Sequence, residues 1–113
     1  MADHIDAIIH GDFDLAESLR GTLSASQVQE IIETYYRLSN WPSKDLAVHL
    51  LQDYPSDKVK AVMRDALASP TPGTRAVAYC VITGNDVAFG SFLSDGFVDP
   101  KRVDAAIQSM DGN

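Results

Sequence analysis

Histidine and carboxylate side chains are the groups best suited to metal or acid–base chemistry, and here their spacing matches no such site. His4 and His10 are six residues apart, so a helix does not place them on one face at the i, i+4 spacing of paired metal ligands. His49 falls beside an apolar helical stripe, which favours a ring that packs while a nitrogen reaches solvent. We therefore expect no metal, no cofactor and no catalytic histidine.

The single cysteine is the other candidate nucleophile. Cys80 lies inside the apolar run 76–82, where a thiol behaves as a small hydrophobic group and burial raises its pKa. This setting favours a core role over a catalytic one. The chain has no glycine-rich phosphate loop, and the turn at 84–86 has the residues of a helix end followed by a helix start. The prediction is a protein that is not an enzyme.

Three basic residues are candidates for binding. Lys60 and Arg64 are four apart on one predicted helix, and Arg75 occupies the position equivalent to Lys60 on the next. Stacked helices would align them in a basic ridge. Two interpretations stay open: the three bind a partner, or they pair internally with an acid such as Asp45 or Asp57.

A group of aromatic residues is the second candidate for binding. Tyr35 and Tyr36 are adjacent, so one narrow helical stripe cannot bury both, and Trp41 lies in a turn. Aromatic side chains near a surface are favoured anchors in protein interfaces, which makes Tyr36 and Trp41 candidate contacts. The alternative is that the group seals the junction between the N-terminal helices and the rest of the chain.

The segments that must position these side chains predict an all-α protein of seven to eight helices. Apolar residues recur at helical spacing through nearly the whole chain, with polar caps, glycines and prolines at the breaks. The clearest helix follows Ser56, where the positions i, i+3, i+4, i+7 and i+8 from Val59 are all apolar. The run 76–82 is apolar on every side, so we expect the central, most buried helix there, with a buried strand as the alternative.

The predicted seventh helix begins after Asp86. It places Phe89, Phe92, Leu93 and Phe97 on one apolar face. An eighth helix follows from position 99 to about 110.

Prolines recur at a fixed interval. Pro42 and Pro72 are thirty residues apart, as are Pro70 and Pro100. Thirty residues accommodate two helices and their turns, and proline is suited to the first turn of a helix. The spacing indicates repeated helical hairpins, with a generic helical bundle as the alternative.

Two stretches resemble the HEAT-repeat and related armadillo-type superhelical proteins. They are Asp57-x-Val59-Lys60-x-x-Met63-x-x-Ala66-Leu67 and Thr74-Arg75-x-x-Ala78. The resemblance covers about residues 41–110 and implies antiparallel hairpins stacked as a short α-α superhelix. Residues 1–40 would then be capping hairpins within a single domain of residues 1–113.

Charge and composition restrict the partners. The net charge is −7, which disfavours nucleic acid as a partner. Residues 1–33 carry seven acids and one base, giving −6, which is either a solvated face or a docking surface for a basic protein. The chain shows no signal-peptide pattern, its longest apolar run is too short to span a membrane, and one cysteine suits a reducing compartment. We expect a cytoplasmic protein.

These observations predict a non-enzymatic helical-repeat protein that binds another protein. A small acidic immunity or inhibitor protein, directed at a basic toxin or nuclease, is a variant of this hypothesis. A small-molecule-binding or enzymatic helical domain is the alternative, and nucleic-acid binding is disfavoured by charge. A homodimer is compatible with the apolar stripes at 89–97 and 103–110.

Overall fold

The computed structural model describes residues 3–111, and in that range the chain forms eight helices and one short hairpin. The all-α prediction is confirmed, since strands account for four residues only. In chain order the elements are α1 (Asp3–His10), α2 (Phe13–Leu19), α3 (Ala25–Arg37), α4 (Trp41–Leu51), α5 (Asp57–Ala66), α6 (Pro72–Thr83), α7 (Val87–Ser91), β1 (Leu93–Ser94), β2 (Phe97–Val98) and α8 (Pro100–Asp111).

Side-chain caps begin several helices of residues 3–111, among them α8, where Asp99 accepts from the backbone N–H of Lys101 at 2.9 Å. The carboxylate of Asp12 accepts a hydrogen bond from the backbone N–H of Leu15 at 3.1 Å. Ser24 and Gln27 form a reciprocal capping box at α3, and Ser56 accepts from the third N–H of α5. Each cap satisfies a backbone donor that the helix itself cannot, a contribution of about 1 kcal/mol.

The helices pack in two rows around a shared core. In one row α1 contacts α3 and α3 contacts α5, while in the other α2, α4, α6 and α8 are in contact in that order. Helix α4 lies at the centre and also contacts α1 and α5. The largest fully buried side chains of this core are Ile8, Ile31, Tyr35, Leu50, Leu51 and Met63.

The predicted seventh helix is wrong beyond Ser91. Residues Leu93 and Phe97 lie instead in the antiparallel strands β1 and β2, joined by Asp95 (φ 53°) and Gly96 (φ 83°). Two successive residues with positive φ make the tight turn that suits the twist of paired strands, and an Asp-Gly pair favours it. The turn reverses the chain, so Phe97 is 79% exposed instead of lying on a common helical face with Phe92.

A second, smaller core fixes this C-terminal region to α6. Phe92 is buried against Ala76 and Cys80 of α6 and Val103 of α8. The ring of Tyr79 meets that of Phe92 edge to face, with centroids 5.6 Å apart. Among the helices of residues 3–111, α6 alone contributes to this core and to the larger one, so it connects the two regions.

Helix α6 is confirmed as a helix but is not buried on every side. Ala76 and Ala78 are inaccessible to solvent, whereas Val77, Tyr79 and Ile82 are only half-buried. The apolar sequence of α6 thus exceeds what the neighbouring helices cover. No helix within residues 3–111 is both long enough and apolar enough to cross a membrane.

Candidate functional site

An open cleft runs between α4 and α6 and has two adjoining lobes of about 470 and 340 Å³. Three residues line both lobes: His49 of α4, Val77 of α6 and Phe89 of α7. The floor of the larger lobe is Val77, Cys80 and Val81, which share one face of α6 through their i, i+3 and i, i+4 spacing. Cys80 and Val81 are buried and Val77 is half-buried, so Val77 is the floor side chain with the most accessible surface.

One side of the larger lobe carries a double hydrogen-bonded ion pair. The guanidinium of Arg20, just after α2, donates to both oxygens of Asp53, at 2.9 and 3.1 Å. Its pKa is raised, first by this hydrogen bond and further by the negative charges of Asp53 and Glu17. Two parallel bonds fix both planar groups, so the pair joins α2 to the end of α4 as a rigid rim.

His49 is fixed from three directions at the centre of the cleft. Its Nε2 contacts a carboxylate oxygen of Glu17, and its Nδ1 lies 3.1 Å from the side-chain nitrogen of Gln52. Its ring also packs on that of Phe13, with centroids 5.1 Å apart. The ring packs as predicted, but the Nε2 atom meets a carboxylate instead of being left to solvent. Its nitrogens are already engaged, which is more suited to shaping the cleft than to proton transfer.

The floor thiol and a nearby carboxylate complete the polar lobe. Cys80 is buried, and its pKa is raised first by that burial and then by the negative charge of Asp86. A raised pKa keeps the thiol protonated and weakly nucleophilic. Asp86 itself is exposed at the start of α7 and forms no ion pair within residues 3–111.

The smaller lobe is mainly apolar. Its apolar lining includes Phe13, which is 54% exposed, Val77 and Phe89. At its end, Asp45 of α4 accepts hydrogen bonds from the hydroxyls of Ser69 at 2.8 Å and Thr71 at 2.7 Å. These bonds hold the connection between α5 and α6 against α4.

The predicted basic ridge is present only in part. Lys60 and Arg64 lie on α5, half-buried and exposed respectively, and neither forms an ion pair with a residue in the range 3–111. Arg75 does not join them. Its side chain is 13% exposed, lies 3.2 Å from a carboxylate oxygen of Asp104 on α8, and donates to the carbonyl of Ser69 at 2.7 Å.

The internal pairing considered for Arg75 thus exists, but with a different acid. The repeat spacing places Arg75 at the position of Lys60, but it does not predict that α8 brings the carboxylate of Asp104 to Arg75. Asp45 has other partners, as described above. Binding by Lys60 and Arg64 stays a prediction.

The aromatic candidates lie elsewhere. The ammonium of Lys44 is 4.9 Å from the ring centre of Trp41 and 5.2 Å from that of Tyr35, and Tyr36 packs edge-on against Tyr35. The hydroxyl of Tyr35 donates to Asp65 of α5 at 2.6 Å, so the cluster also connects α3 to α5. This agrees with a sealing role, while Tyr36 remains 58% exposed and open to contact.

Within residues 3–111, no hydrogen bond, ion pair or ring contact connects Lys60, Arg64 or Arg75 to this aromatic cluster. On α5, Arg64 points about 100° away from its neighbour Asp65, which faces the aromatic cluster. The cleft residues were missed because they come from three segments far apart in the sequence. The one available signal was α6 itself, a helix apolar on every side.

Metal binding finds no support in the geometry. No three histidine, cysteine, aspartate or glutamate side chains of residues 3–111 converge on a position where they could hold an ion. Comparisons with protein-family models, with curated proteins and with solved structures give no match to this chain.

Proposed function

We propose that this protein is a non-enzymatic binding module that holds a segment of another protein in the cleft between α4 and α6. The observation that carries the proposal is the open cleft itself, which the exposed ring of Phe13 and the half-buried side chains of Val77 and Phe89 line. Val77, Cys80 and Val81 form an apolar floor, and the exposed ring of Phe13 and the half-buried ring of Phe89 also line the cleft. Apolar surface in a groove with a polar rim is the usual anatomy of a site that accepts part of a partner protein.

The polar groups of the cleft favour recognition over catalysis. Arg20 is held by Asp53, and His49 by Glu17 and Gln52, so their hydrogen-bonding capacity is largely used within the protein. The Cys80 thiol has a raised pKa, which disfavours the nucleophilic thiolate. Fixed side chains of this kind give a cleft a defined shape and charge.

The finer architecture in this proposal is a short HEAT-like stack. The order of contacts supports it, because α1, α3 and α5 are in contact in one row and α2, α4, α6 and α8 in the other. Stacked antiparallel hairpins produce such an order. In proteins of that design the groove between neighbouring inner helices is a common binding surface, which is where the cleft lies.

A small acidic immunity or inhibitor protein is the variant that the charge supports. The chain carries −7, and Glu17 of the acidic N-terminal third contacts His49 of the cleft. An acidic surface accelerates encounter with a basic protein such as a toxin or nuclease. The proposal includes a cytoplasmic location, which a single unpaired cysteine favours.

Site-specific photocross-linking tests the proposal. A benzophenone amino acid placed at Phe13 or Phe89 should capture a partner in cells. The same group at Ile9 or Phe97, which are exposed apolar positions outside the cleft, is the matched control and should capture it far less. Equal capture at all four positions, or none at the cleft positions, would contradict the proposal.

A small-molecule site is the second candidate for the same cleft. The larger lobe, at about 470 Å³, falls within the range of roughly 300–1,000 Å³ typical of ligand pockets. Native mass spectrometry of the protein purified from its own cells distinguishes the two. A stoichiometric small adduct that is lost on Val77→Glu would favour this candidate over the protein-binding one.

A further inference from the structure

The chemistry of the cleft is unequal along its length. The smaller lobe is walled by Phe13, Phe89 and Val77, whereas the charged groups concentrate in and around the larger one. A ligand that fills both lobes must therefore present an apolar group at one end and a polar group at the other.

The charges that line the cleft sum to a negative value. Asp45, Asp53 and Asp86 contribute −3 and Arg20 contributes +1, so the total is −2 with His49 neutral. Two of these carboxylates are already occupied: Asp53 by Arg20, and Asp45 by the hydroxyls of Ser69 and Thr71. The third, Asp86, is free to pair with a cationic group of a ligand.

Asp86 and Phe89 are neighbours across the first turn of α7. They are three residues apart, a spacing that brings side chains together on a helix surface. Phe89 lines both lobes and Asp86 lines the larger. The free carboxylate is thus next to an aromatic side chain that lines both lobes.

We infer that the occupant of the cleft is a short basic amphipathic segment of the partner protein. An apolar side chain of the segment lies over Val77 between Phe13 and Phe89, and a lysine or arginine reaches Asp86. This inference rests on the proposed function and adds the chemistry of the partner to it. The net charge of −7 favours the same partner, because it repels acidic segments at long range.

Three fluorescein-labelled peptides of equal length test the inference by fluorescence anisotropy. The first combines leucine and lysine in an amphipathic pattern, the second replaces its leucines with serine, and the third replaces its lysines with glutamate. The leucine–lysine peptide should bind at least about tenfold more tightly than either of the others. Its affinity should fall between low and physiological ionic strength, because the contact with Asp86 is exposed.

Two variants and one control locate the binding. Asp86→Asn should lower the affinity for the leucine–lysine peptide about three- to fivefold, which is the effect expected from the loss of one exposed ion pair. Phe89→Ala should weaken it about tenfold through the loss of apolar contact. Asp57→Asn removes an equally exposed carboxylate on α5, outside the cleft, and should leave the affinity unchanged. Circular dichroism verifies that each variant keeps its helical content.

Each remaining outcome overturns the inference in a recognisable way. Equal binding of the serine–lysine peptide would show attraction by charge alone, and equal binding of the leucine–glutamate peptide would refute a basic partner. Binding unchanged by Asp86→Asn and Phe89→Ala would place the peptide elsewhere. If no peptide binds while cross-linking at Phe89 captures a partner, the basic-segment inference fails alone. If both fail, the proposed function fails as well.

Discussion

Different features of the sequence predict the two cores of this protein. The larger one, formed by α1–α6, contains side chains that recur at helical spacing and are fully buried, such as Leu50 and Met63. The smaller one centres on Phe92, which packs on α6 and α8 after a five-residue helix and before a two-residue turn. Periodicity describes the first well, but local turn chemistry determines the second.

This difference indicates which region of the chain should unfold first. The larger core is shared by six helices, so the loss of one side chain weakens packing between several of them. The smaller core joins α7, the hairpin and α8 mainly to α6. Regions with few buried apolar contacts open at a lower free energy than the whole molecule. The C-terminal region should therefore be able to open while α1–α6 stay folded.

The largest expected effect is in the larger core. Leu50→Ala should lower the free energy of unfolding by about 4 kcal/mol, because a fully buried leucine is replaced by a cavity at the centre of α4. Urea denaturation followed by circular dichroism measures it. Val87→Ala, at a side chain that is 85% exposed, is the control and should change the value by less than about 0.5 kcal/mol. Comparable effects of the two would contradict this description of the core.

A loss of about 3 kcal/mol is expected for Phe92→Ala, but it should be local. Phe92 is almost fully buried in the small core. Hydrogen exchange should show faster exchange in α7 and α8, with protection in α3–α5 nearly unchanged. Loss of protection throughout the chain would mean that the two cores unfold as one unit, and the comparison drawn here would be broken.

Tyr35→Phe should cost about 1–2 kcal/mol, since it removes a hydrogen bond to the carboxylate of Asp65. The pKa of Tyr35 is raised, first by burial and then by this bond. Its contribution is therefore complete below the unfolded tyrosine pKa of about 10 and is lost as pH rises above it. Urea denaturation at about pH 8 and pH 11 should show a steeper alkaline loss in the wild type than in Tyr35→Phe.

The control for this pH dependence is Tyr36→Phe. Tyr36 is exposed, and its hydroxyl makes no hydrogen bond within residues 3–111. This variant should change the free energy of unfolding by less than about 0.5 kcal/mol and should keep the alkaline loss of the wild type. A Tyr35→Phe variant with the same alkaline loss would show that Tyr35 is not its source.

The smallest effect is at the hairpin turn. Gly96→Ala should destabilise the protein by about 1 kcal/mol, because φ is +83° there. An added Cβ would meet no atom within 4 Å, so the cost is conformational. Gly90→Ala in helix α7 is the matched control, because a Cβ added there also meets no atom within 4 Å. It should raise the free energy of unfolding by a few tenths to about 1 kcal/mol. Effects of the same sign at both positions would refute this account of the turn.

Much of the fold could be predicted because caps and periodicity agree along α1–α6. Asp12, Ser24 and Ser56 precede apolar stripes and do cap helices in the structure. The seventh helix was extended too far because Phe89, Phe92 and Leu93 satisfy the helical i, i+3, i+4 spacing. The Asp-Gly pair that follows is a strong hairpin signal and should have outweighed that spacing.

The site was less predictable, since it depends on which helices meet. Repeat spacing placed Arg75 with Lys60, but packing of α8 against α6 gave it a carboxylate partner. The cleft joins Arg20 to Asp53, thirty-three residues further along the chain. No spacing rule identifies such a pair. The surplus of apolar residues on α6 was present in the sequence, and it indicated an uncovered face as much as a buried helix.

The bonds from Asp45 to Ser69 and Thr71 also affect how the cleft can bind. Together with Arg75, which bonds the carbonyl of Ser69, they fasten the beginning of α6 before any ligand arrives. A preorganised floor does not have to give up conformational entropy when it is occupied. The ordering cost of binding then falls mainly on the incoming segment, so the affinity of this cleft would depend on how far that segment is already folded on its own.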